Sequence, residues 1–133
     1  MLLVDTSVWV DYLRGRDSVA SAALREAITD GRALATTEPV VMELLAGAAD
    51  DVAVDRLERL TGGLTMLSVQ PALDFTAAAT LYRAARRRGV TVRRLIDCLI
   101  AAIAMRHGVA LLHKDIDFDA IAAFTDLEVV SAR

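Results

Sequence analysis

The chain has 133 residues, of which 55% are apolar and 5% aromatic, and it carries a formal net charge of −3. This length fits a single domain over residues 1–133, and the high apolar content excludes a disordered chain. The lone cysteine, Cys98, excludes an intramolecular disulfide, and no secretory leader or long uncharged apolar stretch is seen, so we expect a cytoplasmic protein with no membrane partner.

The first half of the chain predicts strands that alternate with helices. The elements expected there are a strand at 2–4, helices at 6–13 and 18–30, a strand at 33–36, and helices at 39–46 and 51–60. Asp17 or Ser18 should cap the second helix, and Pro39 should begin the third.

The second half continues this alternation. We expect a strand at 64–69, helices at 71–88 and 93–107, a strand at 109–112, a short helix after residue 117 and a strand at 127–130. Strands separated by helices favour a parallel sheet covered on both faces. The predicted fold is therefore α/β, with a central parallel sheet of about five short strands and ligands expected at the carboxyl ends of the strands.

Single acids interrupt several apolar runs of the sequence. Asp5 lies in LLVDTSVWV, Glu43 in VVMELLAG and Asp97 in LIDCLIAAIAM, while Asp115 and Asp117 follow the fourth strand. A buried carboxylate must be paired, neutralised or bound to a metal, because burying it alone is very costly. The first two runs contain no lysine or arginine. Several acids without matching bases indicate a hard divalent cation with oxygen ligands.

Each of these acids also has an ordinary structural explanation. Asp5 could cap the helix that follows it, and Glu43 could lie on the solvated edge of an amphipathic helix. Asp97 could interact with a helix dipole or pair with an arginine just before it, and Asp115 or Asp117 could cap the short helix. Four independent explanations holding together would be a coincidence, so a shared metal site is the preferred hypothesis.

Four sequence blocks carry a resemblance to a known family. The segments LLVDTSVWVDYL, VVMELLAG, LIDCLIAAIA and LLHKDIDFDAI resemble the signature blocks of PIN-domain nucleases, in their order and spacing, and above all the VapC toxins of bacterial toxin–antitoxin pairs. The resemblance covers nearly the whole chain. It implies a PIN-like fold in which Asp5, Glu43, Asp97 and Asp115 form the catalytic quartet that holds Mg²⁺ or Mn²⁺.

The resemblance extends to three neighbouring positions. Asp117 matches a position where many relatives also carry an acid, and it is included among the expected metal ligands. Thr6 matches the hydroxyl residue that follows the first acid, and we expect it to support the site. Cys98 stands where many relatives have alanine, a difference that affects packing more than chemistry.

The resemblance implies that the chain is a Mg²⁺- or Mn²⁺-dependent endoribonuclease. It would act as the toxin of a toxin–antitoxin pair and cut structured RNA such as tRNA or rRNA by attack of an activated water. Asp5 and Asp97 are expected as direct ligands, with Glu43 and Asp115 completing the shell and orienting the water. The implied partners are RNA, a VapB-type antitoxin whose peptide occupies the pocket, and a second copy of the chain in a homodimer.

Basic residues cluster in the second half of the chain. The set contains Arg83, Arg86, Arg87, Arg88, Arg93 and Arg94. It is either a solvated face or a rim that contacts RNA, and Arg93, Arg94 and Lys114 are the candidate contacts to RNA phosphates.

Other conspicuous side chains are expected to be structural. We expect His107 and His113 not to take part in catalysis, and Trp9 and Tyr12 to belong to the core or to a subunit interface.

Two other classes of function, a different enzyme and a non-catalytic module, fit the sequence less well. A Mg²⁺-dependent phosphatase with Asp5 as nucleophile should carry a second acid two residues later, where this chain has Ser7. A receiver-like module should have an acid pair after its first strand and a lone lysine after its last, and neither is present. A catalytically silent PIN fold should have lost one of the four acids, and none is missing.

Overall fold

Five parallel strands form the centre of the computed structural model, which describes residues 1–133. The elements are, in chain order, β1 (Leu2–Val4), α1 (Thr6–Leu13), α2 (Val19–Thr29), β2 (Leu34–Thr36), α3 (Glu38–Ala46), α4 (Asp51–Gly62), β3 (Thr65–Met66), α5 (Pro71–Arg87), α6 (Leu95–His107), β4 (Ala110–His113), α7 (Ile116–Ala122) and β5 (Val129–Ser131). The α/β class and the parallel sheet predicted from the sequence are confirmed.

The strand order places β1 at the centre of the sheet. The order is β3-β2-β1-β4-β5, and Leu3 of β1 lies opposite Ala35 of β2 on one side and Leu111 of β4 on the other. The chain therefore leaves β1 toward one edge and returns to β4 on the opposite side. A switch of this kind opens a crevice at the carboxyl ends of β1 and β4, where ligands bind in open α/β sheets.

The core is built around β1 and α6. All three residues of β1 are buried, as are Cys98 and the segment 100–104 of α6. Gly108 ends α6 in the left-handed conformation (φ 64°), which favours glycine. Trp9 is fully buried, as expected for a core residue, and its ring lies 6.1 Å from that of Tyr12, which is partly buried against the core. No helix in the structure has both the length and the apolar character needed to cross a membrane.

Several predicted bounds differ from the observed ones: β5 begins at Val129 instead of residue 127, and α7 begins at Ile116 instead of after residue 117. Two further differences have a visible cause. The third strand has only two residues instead of six, because beyond Leu67 the chain turns toward α3 and the Val69 N–H donates to the Glu38 carboxylate at 2.9 Å. The sixth helix begins at Leu95 instead of residue 93. There the Arg93 N–H donates to Asp117 at 3.1 Å, and Arg94 has an extended backbone, so both arginines precede the helix.

Candidate active site

Five acidic residues gather at the carboxyl ends of β1 and β4. We call Asp5, Glu43, Asp97, Asp115 and Asp117 the acid cluster. Asp5 directly follows β1, and its N–H donates to the carbonyl oxygen of Leu112 in β4 at 2.9 Å. Asp115 follows β4 and caps α7, whereas Glu43 lies on α3 and Asp97 in the first turn of α6.

The two oxygens of Asp5 have different surroundings. Oδ2 accepts hydrogen bonds from the N–H and the hydroxyl of Ser7, so the capping explanation holds for this oxygen. Oδ1 is buried and has no hydrogen-bond partner. Burial raises the pKa of Asp5, the bonds from Ser7 oppose the rise, and the charge of Glu43 adds to it. A buried carboxylate oxygen without a partner is costly unless something positive meets it.

Asp97, Asp115 and Asp117 come closest to one another. One carboxylate oxygen of each can be chosen so that all three lie within 4.8 Å of one another. The pKa of Asp97 is raised to about 7, chiefly by burial and also by the charges of Asp5 and Asp115, although Arg94 opposes the rise. The raised pKa thus reflects mainly the removal of Asp97 from water, with the neighbouring acids adding to it.

Glu43 is held at the edge of the cluster by Thr6. The Thr6 hydroxyl donates to Glu43 Oε1 at 2.9 Å and joins the start of α1 to α3. Glu43 is partly exposed, and its other oxygen, Oε2, accepts from Arg94 at 3.1 Å.

Two arginines lie against the acids, which corrects the expectation of acids without matching bases. Arg94 donates to Asp97 at 2.9 Å and to Glu43 at 3.1 Å, and its Nη2 lies 4.0 Å from Asp115 Oδ2. Arg93 donates to Asp115 at 2.7 Å and to Asp117 at 3.2 Å. The pair of Arg94 with Asp97 is the one that the sequence offered as an alternative. The pairs with Glu43, Asp115 and Asp117 were not predicted, because they join segments that are distant in the sequence.

The acid cluster fits a divalent cation. Its donors are all carboxylates, which hard cations such as Mg²⁺ and Mn²⁺ prefer. The partnerless Oδ1 of Asp5 and the close group of Asp97, Asp115 and Asp117 are the oxygens that could hold the ion. The two arginines neutralise the cluster only in part, because they face five carboxylates.

The other arginines of the basic set do not contact these acids. Arg86 stacks over Tyr82 and Arg88 over Phe124, with the guanidinium carbons 5.9 and 5.0 Å from the ring centres. The set therefore divides into a solvated part on α5 and a pair beside the site.

Both histidines have structural contacts. His113 is buried, its Nδ1 accepts from the N–H of Asp115 at 3.1 Å, and its Nε2 lies 3.2 Å from Asp119. Burial lowers the pKa of His113 in spite of Asp119. The exposed His107 lies 3.5 Å from the carbonyl oxygen of Ser68. His113 thus fixes the backbone on which Asp115 sits.

Two buried acids were not predicted from the sequence, Asp74, which binds Arg106 at 2.7 Å, and Asp11 on α1. Asp11 is the one that lies near the acid cluster. It is only 2% exposed, and its carboxylate binds Lys114 Nζ at 2.6 Å and Arg16 at 3.1 Å. Asp11 lies in the same apolar run as Asp5, so the rule that single acids in apolar runs need partners would have found it.

Residues 2–123 match the family model described as PIN domain. Ribonuclease VapC11 of Mycobacterium tuberculosis is 51% identical over 134 residues, with all of both chains covered. Among solved structures, VapBC-1 from nontypeable Haemophilus influenzae has a TM-score of 0.77 at 17% identity, covering 98% of this chain and 96% of that one. Mycobacterium tuberculosis VapC20, described as a sarcin-ricin-loop-cleaving toxin, has a TM-score of 0.70 at 22% identity, covering 96% and 99%.

Proposed function

Because the chain belongs to the PIN-domain family, and within it to the VapC-type toxins, we propose that it is the endoribonuclease of a toxin–antitoxin pair. The proposed reaction is metal-dependent hydrolysis of a phosphodiester in structured RNA, with tRNA or rRNA as the substrate class. The observation that carries the proposal is the acid cluster, in which the buried Oδ1 of Asp5 has no partner. The relative VapC11, named a ribonuclease and 51% identical over the full chain, supports the reaction class.

The proposed metal ligands are Asp5, Asp97, Asp115 and Asp117, with Glu43 at the rim. Bound there, Mg²⁺ or Mn²⁺ would lower the pKa of a water molecule and offset the charge that develops on the phosphate. Asp97 and Asp5 are both buried, which keeps bulk water from their oxygens and strengthens their attraction to a cation.

The remaining residues of the site position the reactants. The hydroxyl of Thr6 fixes Glu43, whose carboxylate at the solvent edge can orient the attacking water and accept its proton. Arg94 lies between Glu43 and Asp97 and has further N–H groups with which to contact the phosphate. His113 holds the Asp115 backbone and needs no proton transfer for that role.

An apolar cleft beside the site is the proposed contact of the antitoxin. It has a volume of about 660 Å³ and is lined by residues of α1, α3 and α4, among them Leu13, Leu44, Val52 and Leu57. Glu43 belongs both to this cleft and to the acid cluster. A partner segment lying in the cleft would therefore reach the site. The solved relative from Haemophilus influenzae is a VapBC structure, which supports a VapB-type partner.

The proposed homodimer would use apolar side chains of α5 and α6. Phe75 is 55% exposed and Leu95 57%, and both line a shallow apolar pocket with Ile96 and Leu99. Replacing Phe75 with glutamate should turn the dimer into a monomer, as measured by light scattering after gel filtration.

Cleavage of purified tRNA and rRNA by the purified chain tests the proposed function. We expect cleavage with Mg²⁺ or Mn²⁺ and none with EDTA. Cleavage that survives EDTA and is lost in His113→Ala or His107→Ala would overturn the metal mechanism. Hydrolysis of p-nitrophenyl phosphate without RNA cleavage would favour the phosphatase alternative.

A further inference from the structure

A second cleft adjoins the acid cluster and, unlike the apolar cleft, is lined mainly by polar and charged residues. It measures about 450 Å³, lies beside α1 and the loops that precede α6 and α7, and shares Thr6 and Asp115 with the site. Val10 is its only hydrophobic lining residue. Four cations face it, and two of these, Arg93 and Arg94, already contact the acid cluster.

The other two cations, Arg16 and Lys114, are held by Asp11. Lys114 Nζ binds one carboxylate oxygen at 2.6 Å and Arg16 binds the other at 3.1 Å. The bond from Lys114 lowers the pKa of Asp11 against the effect of burial, so the carboxylate is charged. The single negative charge of Asp11 thus faces the two positive charges of Arg16 and Lys114. The three side chains together carry a net charge of +1 at the cleft.

Both cations keep free donors. The side chain of Arg16 is 52% exposed and that of Lys114 36% exposed, and each gives only part of its N–H groups to Asp11. A buried carboxylate that fixes two partly exposed cations preorganises them for an anion with several oxygens, such as a phosphate. The backbone N–H of Lys114 donates to Ser7 Oγ at 3.3 Å, which ties this group to the start of α1.

We propose that Arg16 and Lys114, positioned by Asp11, form a binding subsite for an RNA backbone phosphate next to the scissile one. The inference rests on the proposed ribonuclease function and deepens it. The acid cluster acts on one phosphate, while the neighbouring cleft fixes an adjacent phosphate and so sets the register of the strand. An ion triad with a purely structural role would stabilise α1 without affecting RNA binding.

The salt dependence of RNA binding separates these two roles. Bulk tRNA is the probe, in EDTA to prevent cleavage, and affinity is measured by filter binding between about 50 and 200 mM salt. Arg16→Gln and Lys114→Gln should each weaken binding several-fold and reduce the slope of log K against log salt by about 0.7 to 0.9. The matched control is Arg25→Gln, an exposed arginine on α2 outside the cleft.

Asp11→Asn tests the positioning of the two cations. If Arg16 and Lys114 act only as charges, removing the negative charge of Asp11 should strengthen tRNA binding. If Asp11 positions them, the variant should bind more weakly although the protein is more positive. Thermal melting checks that the variant is folded. If Asp11→Asn is unfolded, the salt dependence of tRNA binding by Arg16→Gln and Lys114→Gln tests the subsite without it.

The outcomes distinguish the subsite from the proposed function. If the wild type cleaves tRNA with Mg²⁺ but both glutamine variants bind like Arg25→Gln, the subsite is overturned and the ribonuclease stands. If the wild type neither binds nor cleaves RNA, both are overturned.

Discussion

The guanidinium of Arg94 contacts the buried carboxylate of Asp97 through two hydrogen bonds, of 2.9 and 3.4 Å. The same arginine donates to Glu43, 51 residues away in the sequence. It therefore contacts oxygens that the proposed cation would also bind. Arg94 and the cation should compete for Asp97, and the arginine should be free for phosphate when the cation is bound.

Removing Arg94 should strengthen metal binding. Arg94→Gln deletes a positive charge beside the acid cluster and frees the Asp97 oxygens, so we expect Mn²⁺ to bind several-fold more tightly in isothermal titration calorimetry. The control is Arg88→Gln, because the Arg88 guanidinium stacks over Phe124 and does not contact the acid cluster. Unchanged or weaker Mn²⁺ binding in Arg94→Gln would contradict the competition.

The pH dependence of stability should identify Asp97. Its pKa is about 7 in the folded protein and 3.8 in the unfolded chain. For a raised pKa, the contribution to stability is present below the unfolded value and is lost as pH rises through the folded value. In EDTA, the melting temperature of the wild type should therefore fall relative to that of Asp97→Asn between about pH 4 and pH 8.

Comparing the wild type with Asp97→Asn at each pH removes the opposing effect of His113 on stability. His113 has a lowered pKa, so its contribution is present at neutral pH and lost as pH falls. Because His113 is present in both proteins, it cancels in the difference. The Asp97 effect should be at most about 4 kcal/mol, given about 1.4 kcal/mol per pKa unit.

Metal should reduce the stability advantage of Asp97→Asn over the wild type. When free Mn²⁺ is about 100 times its dissociation constant, binding to the folded wild type adds roughly 2.7 kcal/mol. Asp97→Asn should lose most of that gain. If Asp97 serves only the helix dipole or the pair with Arg94, asparagine should be neutral or destabilising at every pH, and Mn²⁺ should shift neither melt.

The bond between Thr6 and Glu43 should matter for catalysis. Thr6→Val keeps the shape of the side chain but removes the donor to Glu43. A hydrogen bond to a charged group contributes about 1.5–3 kcal/mol, so we expect the rate of RNA cleavage to fall about 10- to 100-fold. Thr6→Ser restores a hydroxyl and should recover most of the rate. Equal loss in both variants would mean that the methyl group, and not the bond, is what the site needs.

Expression of the chain alone should arrest bacterial growth. The acid cluster is complete, and an endoribonuclease without its antitoxin depletes RNA that the cell needs. Co-expression of a partner encoded beside it should relieve the arrest. Normal growth with verified folded protein in the cells would contradict the toxin assignment.

The sequence predicted most of the fold because its signals are local. Asp5 directly follows an apolar strand, Pro71 begins a helix and Gly108 ends one, and each of these signals acts within a few residues. The short β3 was overestimated because the apolar run around it continues beyond the residues that pair. Its pairing is limited by the Glu38 carboxylate, which lies far away in the sequence.

The candidate site was predictable as a set of acids but not as a set of contacts. Single acids in apolar runs indicated Asp5 and Asp97 because the cost of burial is a property of the residue and its neighbours. The local pair of Arg94 with Asp97 could be anticipated, whereas the pairs of the two arginines with Glu43, Asp115 and Asp117 depend on where the fold carries their loop. No pattern in the sequence joins Arg16 and Lys114 through Asp11, since they are 98 residues apart and only the packing of α1 beside β4 brings them together.

The most direct test of the central claim is a map of RNA 5′ ends across total cellular RNA after induction of the chain. The wild type should produce new ends at one or a few positions in structured RNA, and Asp5→Ala, Glu43→Ala, Asp97→Ala and Asp115→Ala should each abolish them while the proteins remain folded. The purified wild type should cut the same positions with Mg²⁺ and not with EDTA. Identical end maps for wild type and Asp5→Ala, or the same cuts in EDTA, would contradict the account of this chain as a ribonuclease that acts through its acid cluster.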